Sequence, residues 1–154
     1  MTPYPKNSPQ AAMRLVLMPT LVERELTPER LGFLAYVAEK FGMIPDNLKE
    51  VLIDYEQDVL SYQNQDTEFF FGDGAFPKSL VHAACDQIDH LDLQLQIAHT
   101  MKLVVLERAP HTAKEVAFVE KIINYWGIRK PWHTLLKAQD DNAFQGLRAV
   151  QGES

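Results

Sequence analysis

The 154-residue sequence contains one cysteine, Cys85, and only seven glycines. A lone thiol excludes an intramolecular disulfide and suits a reducing compartment. It excludes a CxxC motif as well. No phosphate-cradling glycine loop, nucleophile elbow or zinc-protease histidine pair is present. Long apolar runs are missing. Leu15 to Val22 is too short to span a bilayer and contains Pro19, and Leu91 to Leu106 is interrupted by Asp92, Gln94, Gln96, His99 and Lys102. Met1 to Gln10 is Pro-rich and polar, without the charged-then-apolar plan of a secretory signal. These absences predict a soluble, cytoplasmic protein. Basic excess is also lacking: 21 acidic against 15 basic residues give a net charge of −6, which argues against a nucleic-acid partner.

What the chain does have is apolar content at helical spacing. Apolar residues make up 46%, enough for the core of one domain. No stretch sustains period-two alternation, so the expected fold is all-α, a bundle of about seven helices. A first helix is expected from Ala11 to Arg24, adjusted near Pro19. The second has Thr27 at its N-cap, Pro28 at its first position and Gly42 at its end. A third follows Pro45, with Leu48, Val51, Leu52, Tyr55, Val59 and Tyr62 on one face. Residues 63–78 break the pattern, and Phe69-Phe70-Phe71 must fold back to find cover. A fourth helix begins at Ser79. The fifth, Asp92 to Arg108, is apolar almost all round and is expected to be the buried central helix. The sixth starts at Thr112, whose spacing to Glu115 makes a capping box, and ends at Gly127. Short amphipathic helices are expected around Trp132 to Lys137 and Ala143 to Val150. Residues 1–10 read as a flexible N-terminal segment, 11–138 as the helical domain and 139–154 as a C-terminal helical tail.

Thr27–Met43 aligns with Thr112–Ile128 at a constant offset. Leu31, Phe33, Leu34 and Val37 then meet Val116, Phe118, Val119 and Ile122, while Gly42-Met43 meets Gly127-Ile128. Glu23-Arg24 matches Glu107-Arg108 at an offset one residue shorter, with one residue added in the turn. This predicts an internal pseudo-twofold repeat of two helix–turn–helix halves.

Over residues 12–130 the chain resembles the TerB-like (tellurite resistance B) all-helical family. The resemblance rests on two halves, Val22-Glu23-Arg24-Glu25-Leu26-Thr27-Pro28-Glu29-Arg30 with its exit at Gly42-Met43, and Leu106-Glu107-Arg108-Ala109-Pro110-His111-Thr112-Ala113-Lys114-Glu115 with its exit at Gly127-Ile128. In that family the turn carries Asp-Gly where this chain has Glu-Arg in both halves, and Arg30 stands where Glu is usual. The resemblance implies an all-helical domain linked to tellurite or other stress, and a divalent cation held by Glu23, Glu107 and Glu115. Arg24, Arg30 and Arg108 are candidates to pair with those carboxylates instead.

Other groups invite chemistry. Residues 46–92 hold 11 acidic and 2 basic groups, net −9. Within them Asp46, Glu50, Asp54 and Asp58 recur every four residues, either a solvated face or a ridge for a basic partner. His82, Asp86, Asp89 and His90, at i, i+4, i+7 and i+8, fall on one helical side, in a pattern able to offer imidazole and carboxylate to a metal or to form a plain surface. Cys85 reads as a small buried thiol rather than a nucleophile. Trp126 and Trp132 read as anchors for the tail. Three functions remain open: a non-enzymatic interaction module with a protein partner, a divalent-cation-binding protein, and a small helical enzyme closed by the loop Phe69–Phe76.

Overall fold

Ser8 and Pro9 open the first helix. The Ser8 hydroxyl accepts a hydrogen bond from the Ala11 amide at 3.2 Å, and Pro9 fills a position where a missing N–H costs nothing. The computed structural model describes residues 1–22, 27–72, 74–106 and 113–128. Among these described residues are six helices, α1 (Pro9–Leu21), α2 (Pro28–Lys40), α3 (Pro45–Gln63), α4 (Lys78–Asp86), α5 (Leu91–Leu106) and α6 (Ala113–Tyr125). Among the described residues there is no strand, only an isolated antiparallel bridge between Phe69 and Pro77. The fold is all-α. The two short helices expected after Trp132, and the cap at Thr112, lie outside the described residues.

The ends of α2 and α6 are built alike. Thr27 caps α2 by accepting from the Arg30 amide at 3.2 Å. At its other end Gly42 adopts φ 86°, which lets the Met43 amide reach back to the Ala38 carbonyl at 2.9 Å. Gly127 does the same after α6, with φ 73° and an Ile128 amide bonded to the Ile123 carbonyl at 3.2 Å.

The centre belongs to α1, not to α5 as the sequence predicts. All ten residues Ala11–Thr20 are buried, and α1 packs against each of the other five helices. Arg14 in its middle and Pro19 near its end mask this in the sequence, because both suggest a surface or a stop. α5 lies beside α1 and is buried from Ile97 to Val105 apart from half-buried Lys102, but Leu91 and Asp92 at its start are exposed. Pro19 does not end α1, which continues to Leu21.

The segment between α3 and α4 folds back as expected. The Phe70 amide bonds to the Phe76 carbonyl at 3.1 Å and the Lys78 amide to the Glu68 carbonyl at 3.1 Å, so the chain doubles on itself. Phe76 is 1% exposed and its ring lies 4.9 Å from that of Phe118 on α6. Phe70 and Phe71 meet the same Phe118 ring at 5.8 and 6.4 Å. Together these rings join the loop to the core through α6.

Candidate functional site

The acidic stripe on α3 divides in two. Residues four apart advance about 40° beyond a full turn, so Asp46 and Asp58 point about 120° apart. Asp46 and Glu50 are exposed, Asp54 is half-buried, and Asp58 is 7% exposed. The single ridge expected from the spacing is therefore an outward pair and an inward pair.

The inward pair holds a buried arginine and the N-terminal segment. Arg14 has no exposed surface, and its Nη1 lies 3.5 Å from Asp58 Oδ2. The same nitrogen donates to the Thr2 carbonyl at 2.9 Å, and Nη2 donates to Gln87 Oε1. The Thr2 amide and hydroxyl donate to Asp58 Oδ1 at 2.9 and 3.0 Å. The guanidinium sits 4.2 Å from the Tyr4 ring centroid, and the Tyr4 hydroxyl donates to Asp54 Oδ2 at 2.6 Å. Burial, reinforced by Asp54, pushes the Tyr4 phenol far above its usual pKa, and burial pulls the Arg14 pKa down. Gln87 also donates to the Tyr4 carbonyl at 3.2 Å, and its own carbonyl accepts from the Asn7 amide at 2.9 Å. This network is structural: each of its side chains binds another part of the same chain, although the buried Arg14 Nε finds no hydrogen-bond partner among the described residues.

A second ion pair joins α2 to α6. Arg30 Nη1 and Nη2 approach Glu115 Oε1 and Oε2 at 3.3 and 3.4 Å, and Glu115 is 2% exposed. Of the carboxylates expected to hold a cation, Glu115 thus faces a guanidinium, while Glu23 and Glu107 lie outside the described residues. Among the described residues no group of three or more His, Cys, Asp or Glu side chains is placed to hold a metal ion.

The four-residue set His82, Asp86, Asp89 and His90 is not formed on one helix. α4 ends at Asp86, with Gln87 as its C-cap, so Asp89 and His90 sit in the turn before α5. His82 instead stacks on Tyr125 at 4.1 Å, and the Tyr125 hydroxyl donates to Asp86 Oδ1 at 2.8 Å. That bond holds the Tyr125 phenol up to about 12. Asp89 accepts from Asn7 Nδ2 at 2.7 Å, and this bond holds its carboxyl below the usual range. Cys85 is fully buried, and burial pushes its thiol pKa up, away from nucleophilic use. Trp126 donates from Nε1 to the Cys85 carbonyl at 3.0 Å and so pins the α6 exit to α4. Trp132 lies outside the described residues. His99 is buried on α5.

The outward side of α3 carries a feature the spacing did not reveal. Ile53 and Leu60 are 54% and 64% exposed, beside Asp46, Glu50 and Glu56. Among the described residues no hydrogen bond or ion pair engages these three carboxylates. Sequence reasoning also missed Arg14, Tyr4, Asn7 and Gln87. Only Ser8-Pro9, a capped helix start, signalled that the N-terminal segment leads directly into α1. None of the described helices is long and apolar enough to cross a membrane. Comparison of the chain with protein-family models, curated proteins and solved structures found no match.

Proposed function

We propose that this chain is a non-enzymatic, TerB-like helical module that works by binding another protein, with the outward side of α3 as its contact. One observation carries this reading. The buried carboxylates Asp58 and Glu115 are balanced by arginines of the chain itself, whereas Asp46, Glu50 and Glu56 face outward beside exposed Ile53 and Leu60. A carboxylate already matched by a guanidinium gains little from a cation, since the new charge must displace the old. The family resemblance adds a setting in tellurite or other stress resistance.

The same reading takes the two halves as an internal repeat. Arg30 and Glu115 are 85 residues apart, the offset that aligns the halves, and a residue beside a twofold axis meets its own equivalent. The Met43 and Ile128 amides, which close α2 and α6, stand at that separation too. A seventh helix belongs to the tail in this reading.

The test is affinity capture with the wild-type chain and with Asp46→Lys/Glu50→Lys, whose side chains make no hydrogen bond or ion pair among the described residues. Asp54 is unsuitable because it holds Tyr4. A partner captured by the first and lost from the second is expected. A saturable zinc, calcium or manganese titration abolished by Glu115→Gln, with no partner captured, would replace this reading with cation binding.

A further inference from the structure

The outward side of α3 has a shape and charge that specify its occupant more closely. Ile53 and Leu60 are seven residues apart, two helical turns, and so lie about 10.5 Å from each other on nearly the same line. Asp46, seven residues before Ile53, continues the line itself, Glu50 and Gln57 run along one flank, and Lys49 and Glu56 along the other. Every one of these side chains is exposed. The α3 side chains that pack inward, Leu48, Val51 and Tyr55, are separate from them. Surface apolar residues scattered singly need no explanation, but a pair aligned on a helix, with acid beside it, is half of a helix–helix contact.

Charge selects among the occupants. The acidic end of the line and its two flanks together carry three carboxylates and one ammonium, a net −2. A second copy would bring equal acidic flanks face to face, which costs affinity. Anionic lipid and nucleic acid are repelled for the same reason. The complementary object is a helix that offers apolar residues at i and i+7 with Lys or Arg on either side. Its aliphatic side chains would cover Ile53 and Leu60, and its cations would pair with Glu50, Glu56 and Asp46.

Resting on the interaction reading above, we propose that α3 docks a basic amphipathic helix of a partner protein along the Ile53–Leu60 line. The docking orders a helix on a ready-made, rigid surface: α3 is fixed from behind by α1, α2 and α4. It therefore needs no rearrangement of this chain.

The probe is a synthetic Leu/Lys amphipathic peptide of about 18 residues, long enough to cover the line as a helix. A Leu/Glu peptide of the same pattern and a scrambled Leu/Lys peptide are the comparisons. Binding is measured by fluorescence anisotropy and mapped by amide chemical shifts. The expected result is saturable binding of the ordered Leu/Lys peptide alone, weakened by salt, with shifts centred on residues 46–61. Ile53→Ser/Leu60→Ser and Glu50→Lys/Glu56→Lys should each weaken it about ten-fold or more while the melting temperature stays near wild type. Equal binding of the scrambled peptide, indifference to both variants, or shifts centred elsewhere overturns the proposal. So does a concentration-dependent dimer that Ile53→Ser/Leu60→Ser dissolves, since a second copy is then the occupant. The two proposals fail separately. A partner captured by wild type and by Asp46→Lys/Glu50→Lys alike, with no peptide bound at α3, removes the docking line but leaves an interaction module. Capture of nothing together with a saturable cation site removes the module itself.

Discussion

Arg14 and Asp58 lie 3.5 Å apart, the first with no exposed surface and the second with 7%. Their pairing links the central helix to α3. Desolvating both charges is expensive, so the pair adds little net stability, yet removing one partner strands the other. Asp58→Ala should therefore destabilise the protein by about 3–5 kcal/mol, whereas replacing both by apolar residues (Arg14→Met with Asp58→Leu) should recover much of that loss. Urea unfolding of Arg14→Met, Asp58→Leu and the double variant gives the comparison, and an additive double variant would show that the two do not act as a pair.

The N-terminal segment is tied to the α4–α5 turn by Asn7, whose φ of 60° is unusual for a residue other than glycine. Its side chain bonds to the Asp89 carboxylate and to the amides of Asp89 and His90. Asn7→Gly keeps the backbone conformation but loses those bonds, while Asn7→Ala loses the bonds and adds backbone strain. Alanine should thus be the more damaging change, by about 1 kcal/mol.

The same contact sets a pH dependence. The folded-state pKa of Asp89 lies below its ordinary 3.8, so its contribution is present above 3.8 and is lost as pH falls through the folded value. In Asn7→Ala the Asp89 titration, followed by carboxyl NMR, should move up toward 3.8. Stability should then fall less steeply with acid than in the wild type.

Phe76 and Phe71 stand on the same loop at different depths. Phe76→Ala opens a cavity against Phe118 and should cost about 3–5 kcal/mol. Phe71→Ala, at a half-buried position, should cost clearly less. Thermal melts of both variants check the order.

Cys85 has no exposed surface and a raised pKa, so disulfide exchange with Ellman's reagent at pH 8 should be slow in the folded protein and fast in urea. Fast labelling of the folded protein would mean that α4 opens readily.

Much of the helical plan was legible because its punctuation is local. Thr27-Pro28 and Gly42 bound α2, Pro45 opens α3, and Gly127 closes the α6 exit. Ser8-Pro9 follows the same grammar, and its cap places the start of α1 at Pro9 rather than Ala11. Depth was harder to read, because burial depends on partners distant in sequence. Arg14 looks like a surface residue until Thr2, Asp58 and Gln87 surround it. The α3 stripe looked uniform because strict four-residue spacing hides the slow rotation that turns Asp58 inward. His82 and His90 share a face only on a helix that runs past Gln87, and α4 ends at Asp86.

The position of α1 sets an order on synthesis. This helix precedes its partners in the chain, and two of them, α5 and α6, are made only after α2, α3 and α4. Until they arrive, an apolar rod from Ala11 to Thr20 has no complete surroundings, and the chain cannot finish folding from its N-terminus forward. A nascent chain without residues 113–125 would leave the α6-facing part of α1 without its cover.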